Sequence, residues 1–122
     1  MPFLDVKHDT GIAYGDGYAQ GDAESGQVMR VVGNDLFAVA DDATDPAFGV
    51  LFKDVKDGDM PTIYTDGGVY ETDNFTGTIL AGEFLKAHNT NGNLTNGVGA
   101  GDTVVAKAIS VNGGILKFRL LV

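Results

Sequence analysis

The chain has no cysteine and no tryptophan, only three prolines, and eight cationic residues against seventeen acidic ones. Without cysteine there is no disulfide, no thiolate zinc site and no cysteine nucleophile, so metal chemistry would have to rest on carboxylates and two histidines. The shortage of Lys and Arg leaves a formal net charge of -9 over 122 residues. Such a surface repels phosphate backbones and anionic lipid, which argues against a nucleic-acid partner. No apolar run approaches membrane-spanning length, and the opening Met1-Pro2-Phe3-Leu4-Asp5-Val6-Lys7-His8 lacks a basic flank followed by an apolar stretch. Neither membrane insertion nor export is expected, and the reading is of a protein made and folded in the cytoplasm. Helical patterning is missing too, since no window of ten or more residues holds a 3.6-residue period.

What the chain does contain is 18 glycines and many β-branched residues. Short apolar runs closed by Gly, Asn or Asp predict strands over 27–32, 36–40, 48–55, 62–65, 68–72, 83–87, 93–95, 103–111 and 115–121, with one short helical turn at 42–47. Gly33-Asn34, Asp57-Gly58, Asp66-Gly67-Gly68, Asn91-Gly92 and Asn112-Gly113-Gly114 supply the positive φ angles of tight connections. In the last hairpin Lys107 alternates onto one face with Val105 and Ile109, and Lys117 and Arg119 onto one with Ile115, so the cations mark a solvent side or rim. Residues 1–25 differ: isolated apolar residues are spaced by glycines and acids and form no continuous apolar face. The expectation is an all-β protein, a small β-barrel or β-sandwich of antiparallel hairpins over 26–122, preceded by an extended, flexible N-terminal arm over 1–25.

The two halves resemble each other. Gly26-Gln27-Val28-Met29-Arg30-Val31 matches Gly82-Glu83-Phe84-Leu85-Lys86-Ala87, Gly33-Asn34-Asp35-Leu36 parallels Gly92-Asn93-Leu94, and the run from Phe48 to Val55 parallels that from Val104 to Val111. A duplication would predict two similar units of three or four strands sharing one core.

Candidates for chemistry are few. His8 falls in the arm and His88 in a polar turn, and there is neither a phosphate-binding Gly-rich loop nor a Gly-x-Ser-x-Gly elbow. The acidic clusters Asp16 to Glu24 and Asp54 to Asp59 lack the alternating ligands and closing Glu of a calcium loop, so they read as solvated turn carboxylates. The expectation is no catalytic residue, no metal and no cofactor, hence no enzyme. The middle of the chain carries more apolar residues than a small core needs, with Phe75 on an apparent loop that either plugs the end of its own barrel or anchors an interface.

Phe48-Gly49-Val50-Leu51-Phe52-Lys53-Asp54-Val55, Thr62-Ile63-Tyr64-Thr65-Asp66-Gly67-Gly68-Val69-Tyr70-Glu71-Thr72, Ala81-Gly82-Glu83-Phe84-Leu85 and the closing Gly101 to Ile109 and Leu116 to Leu121 segments together resemble the core of the small decoration (cement, head-stabilising) proteins of tailed bacteriophages. The likeness spans about residues 26–122. It implies a non-enzymatic virion protein on the outer surface of the icosahedral head, commonly trimeric, with the major capsid protein and its own copies as partners. On that reading Phe3, Leu4, Ile12, Tyr14 and Tyr18 of the arm are expected to contact the capsid. Phe75, Ile79 and Leu80, with Arg30, Lys86 and Arg119, are expected at the subunit interface. The alternative is a carbohydrate-binding or adhesin-like β-module presenting Tyr14, Tyr18, Tyr64 and Tyr70 to sugar faces. A small β-barrel hydrolase is a third class, and it would need paired carboxylates around a pocket.

Overall fold

A computed structural model describes residues 2–8 and 11–122. Twelve strands occur in the order β1 (Leu4–His8), β2 (Ile12–Tyr14), β3 (Tyr18–Ala19), β4 (Val28–Gly33), β5 (Leu36–Val39), β6 (Gly49–Leu51), β7 (Ile63–Thr65), β8 (Val69–Thr72), β9 (Phe84–Ala87), β10 (Leu94–Thr95), β11 (Ala106–Asn112) and β12 (Ile115–Leu120). They form two six-stranded sheets: a front sheet ordered β1-β8-β12-β11-β9-β10 and a back sheet ordered β2-β7-β6-β4-β5-β3. Neither closes into a barrel; the sandwich is the form adopted. The expected helical turn is a single bend in which Asp45 N–H donates to Asp42 O at 3.0 Å and the Asp42 carboxylate accepts from Thr44 N–H and Oγ1. An Asx turn holds that segment where a helix was expected.

The N-terminal segment is extended and runs along both sheets. β1 pairs antiparallel with β8 on one edge of the front sheet, β2 pairs with β7 on one edge of the back sheet, and β3 pairs in parallel with β5 on its other edge. Sequence reading found no strand there because each piece is short and buries few side chains, Leu4 and Ala19 among them.

The duplication is visible as a repeated strand register. In the back sheet Val28 pairs with Val50 and Met29 with Gly49; in the front sheet Phe84 pairs with Lys107 and Leu85 with Ala106. Leu51↔Ile63 and Ile63↔Tyr14 recur as Ala108↔Phe118 and Phe118↔Tyr70, and the parallel pair Ala19↔Phe37 recurs as the parallel bridge Phe75↔Leu94. Smaller features repeat as well. Glu24 N–H donates to Gln27 Oε1 and Leu80 N–H to Glu83 Oε1, both at 2.6 Å, and the pair Arg30–Asp45 at 3.3 Å recurs as Lys86–Asp102 at 2.9 Å. Residues 11–66 and 67–122 are therefore two copies of one unit, with β1 as an addition. The match of Gly26-Gln27 to Gly82-Glu83 is in register, whereas Leu36 with Leu94 and Phe48 with Val104 are each one residue out. Phe37 corresponds to Leu94 and Phe48 to Val105, because the β9–β10 turn holds one residue more than the β4–β5 turn.

The units stack in the same sense. The face of the front sheet bearing Tyr70, Leu85 and Phe118 meets the face of the back sheet bearing Val28, Val50 and Tyr64, and together they form the main core. An aromatic chain, Phe52–Tyr64–Tyr70–Phe118, crosses this core with centroids 5.1–5.7 Å apart. On the far side of the back sheet, Met29, Phe37, Leu51 and Ile63 form a second cluster with Ala23, Val55, Tyr14 and Phe48. Tyr70 ties the layers together: its hydroxyl donates to Gly67 O at 2.9 Å and accepts from Gly11 N–H, at the start of β2, at 3.3 Å.

Two substitutions test the stacking. Gly26 and Gly82 are corresponding turn positions with φ of 88° and 90°, but a Cβ on Gly26 would meet Thr72 Oγ1 at 2.6 Å, while nothing lies within 4 Å of one on Gly82. Both Gly→Ala changes cost about 1–2 kcal/mol for the left-handed backbone, and Gly26→Ala costs visibly more in urea unfolding because of the contact between sheets. Tyr70→Phe, which leaves two backbone groups without a partner, lowers stability by about 1–3 kcal/mol.

Candidate interaction surface

Front-sheet residues alternate. Leu85, Ala106, Ala108, Leu116, Phe118, Leu120 and Tyr70 point inward and are buried, so their neighbours Phe84, Lys86, Lys107, Lys117, Arg119 and Glu71 point outward. Across the strands Phe84 lies beside Lys107, Lys107 beside Arg119, and Lys117 beside Glu71. Lys7 joins this face through its 3.2 Å pair with Glu71. Five of the eight cations of an acidic chain thus share one sheet face. Phe84 is 50% exposed there with Lys107 Nζ 5.4 Å from its ring centroid, and Ile109, at the β11 bulge, is 42% exposed.

The corresponding row of the back sheet is Val28, Val50 and Tyr64, of which the two valines are 0% exposed beneath the front sheet. Position for position, Phe84, Lys107 and Arg119 occupy the face that the first unit uses to bind the second.

The opposite end of the stack is acidic. Residues 11–66 hold eleven acids and three cations, whereas residues 67–122 hold four of each. Asp22, Glu24, Asp54, Lys56 and Asp59 surround a cavity of about 450 Å³ over the second cluster. The carboxylates there are bound to backbone: Asp54 accepts from Ser25 N–H at 2.8 Å, Asp57 from Gly21 N–H at 2.6 Å and Asp59 from Lys56 N–H at 2.9 Å. Asp22 is held below the usual carboxylate value by the Asp57 N–H and then by Lys56. Among the described residues no three His, Cys, Asp or Glu side chains gather as a metal cluster.

The residues expected at a capsid contact separate. Leu4 is in the main core, Phe3 is half-buried, and Tyr14 packs on Phe37 and Phe48 while its hydroxyl binds Asp35, which pushes its pKa up to about 12. Ile12 and Tyr18 are 61% and 62% exposed, but on opposite edges of the back sheet. Of those expected at a subunit interface, Ile79 is a core residue, Phe75 packs against the core beside Leu94, and Leu80 is exposed. Arg30 is committed to Asp45 and Asp41; Lys86, paired with Asp102, and Arg119 share the outer face of the front sheet. Tyr64 and Tyr70 stack within the core, leaving Tyr18 as the most open tyrosine for a sugar face. His88 Nδ1 accepts from Thr90 N–H at 3.1 Å and serves its turn. Sequence reading missed Phe84; alternation in the last hairpin set Lys107 and Ile109 on one face with Val105, but Val105 is 1% exposed in the main core, and the buried counterpart of that face is visible only in three dimensions.

A scan of the chain against family models finds no match, and a search of curated proteins finds none either.

Acid strength at two sites of the second unit makes stability depend on pH. Glu83, which accepts from Leu80 N–H and Asn96, and Asp102, which accepts from Lys86 and Gly99 N–H, are both held below their ordinary values of 4.5 and 3.8. With the folded pKa values lowered, the unfolded chain binds more protons in acid. Stability is full above the ordinary carboxylate values and falls as pH drops through the lowered ones. Glu83→Gln reproduces the amide acceptor used by Gln27, so thermal melts are expected to show nearly unchanged stability at pH 7 and a shallower loss below pH ~4.

Proposed function

We propose that this chain is a non-enzymatic structural protein of a tailed-bacteriophage virion, binding the outside of the icosahedral head and stabilising contacts between capsomers as a homotrimer. The observation that carries this reading is the presence of two separate kinds of exposed apolar surface on one small acidic body. Ile12 and Tyr18 stand on opposite edge strands of the back sheet and Val6 on an edge strand of the front sheet, and Phe84 and Ile109 stand among cations on the front face. A lattice clamp needs two adhesive surfaces, one for its own copies and one for the shell, because avidity from several simultaneous contacts compensates for modest single interfaces. The excess of acid suits the outer side of a particle filled with nucleic acid, where it avoids adhering to the genome during packaging. The resemblance in residues 26–122 points the same way. In this setting the chain is synthesised in the host cytoplasm, its partner is the major capsid protein, and it requires neither cofactor nor membrane.

Quantitative mass spectrometry of purified particles tests the reading. Copies comparable to the major capsid subunit support it; a handful points to a vertex, tail or glycan-binding part, and none overturns it. The N-terminal edges have their own test. Ile12→Asp and Tyr18→Asp are made separately because they lie on opposite edges, and the one on the edge that meets the shell is expected to weaken binding to undecorated shells at least about tenfold, since buried apolar anchors dominate interface energy, while circular dichroism stays that of the parent. Unchanged shell binding would remove Ile12 and Tyr18 from the contact.

A further inference from the structure

The outer face of the front sheet is unpartnered, yet the same face of the first unit is a buried interface. Phe84, Lys107 and Arg119 stand where Val28, Val50 and Tyr64 lie under a second sheet. Stacking in one sense always leaves one such face open at the end. Here that face carries Phe84 and Ile109 for apolar contact and most of the cations, and among the described residues neither Lys107 nor Lys117 has a carboxylate within ion-pair distance.

The surface complementary to it is on the same molecule, at the other end. Ala23 and Val55 belong to the cluster on the far side of the back sheet, so the loops carrying Asp22, Glu24 and Asp59 face away from the front sheet, while Asp54 turns to the seam beside β1. One unit has a net charge of -8 and the other of zero, which makes the molecule dipolar along the stacking axis. The net charge makes any two copies repel at long range; head to tail is the arrangement that sets the cations of one sheet face against the acidic loops of the next copy, and so repels least. Six strands at about 4.8 Å spacing also give a face about 25 Å wide, broad enough to supply the roughly 800 Å² per partner of an ordinary specific interface.

We propose that a second copy of this chain docks on the outer face of the front sheet with the acidic loops of its first unit, in a head-to-tail contact. The contact is heterologous and joins opposite ends of the stack, so successive copies run on as an open array. It is independent of the trimer reading above. Phe84 and Ile109 form its apolar centre, and Lys107 and Lys117 face the carboxylates of the neighbour. The ion pairs make it sensitive to salt, since exposed charges are screened over about 8 Å at physiological ionic strength.

The test uses the free full-length chain in sedimentation equilibrium, without shells, so its failure is distinct from failure of the decoration reading. Two variants each block one end: Lys107→Glu with Lys117→Glu, and Glu24→Lys with Asp59→Lys; circular dichroism checks that both are folded. The parent is expected to exceed monomer mass at about 0.05 M salt and to dissociate at least about tenfold more readily at about 0.5 M. Each variant alone is expected to be monomeric, and mixing the two restores association, because each retains the end that the other lacks. A parent that stays monomeric at low salt overturns the proposal. So does association that survives either variant, which would mean a contact elsewhere or one pairing like faces. A monomeric parent whose Lys107→Glu, Lys117→Glu variant loses shell binding would also overturn it, by assigning the face to the capsid.

Discussion

The structure depends on burying one sheet face, that of Val28, Val50 and Tyr64, against Tyr70, Leu85 and Phe118 of the duplicated unit. Each unit alone is a half-covered sheet with an apolar side in need of a lid, and stacking supplies it. At about 25 cal/mol per Å², the fully enclosed side chains of this layer are the largest favourable contribution to the fold. The backbone adds cross-links where the units meet: Val28 N–H donates to Gly92 O at 2.8 Å, Thr103 N–H to Ala43 O at 2.8 Å and Asn74 Nδ2 to Ser25 O at 2.9 Å. A chain of two such units is therefore one cooperative body.

Because the stacking has a direction, corresponding positions in the two units face different environments. The row that is Val28 and Val50 in the first unit is free to become Phe84 and Lys107 in the second, where no sheet lies above it. The turn glycines diverge in the same way: Gly26 is pressed against Thr72 and Gly82 is open. Features internal to a unit are retained, among them the ion pairs Arg30–Asp45 and Lys86–Asp102, the tyrosines Tyr14 and Tyr70, and the Gln27 and Glu83 turns. What the sequence presents as imperfect repetition is a separation between positions that serve a unit and positions that serve the stack. The charge follows suit, with acids in the loops of one end and cations on the sheet face of the other.

Much of this was legible beforehand. The nine strands expected from apolar runs and turn residues all occur with shifted ends; 48–55 shrinks to Gly49–Leu51 because beyond it Phe52 packs on the main core and Val55 on the second cluster. The strands β1 to β3 were not legible: pieces of two to five residues with few buried side chains carry almost no periodic signal, and they are held by pairing to strands far along the chain. The candidate surface was half legible. Lys117 and Arg119 were assigned to a solvent side from alternation, but Leu4 and Ile79 look like contact residues in sequence and are core in the structure, since an isolated apolar residue does not reveal which element will cover it.

The sequence by itself determined an acidic, cysteine-free all-β chain, its turns, and a repeat of the Gly26-Gln27 and Gly82-Glu83 kind, because composition, period and turn chemistry are local properties written within a few residues. Only the tertiary structure decided that the N-terminal segment joins both sheets, that the sheets stay open, and that one face of the repeat is buried in the first unit and bare in the second. Those outcomes are set by which surfaces meet, and the free energy of burial belongs to the pair of surfaces; it cannot be read from either stretch of chain alone.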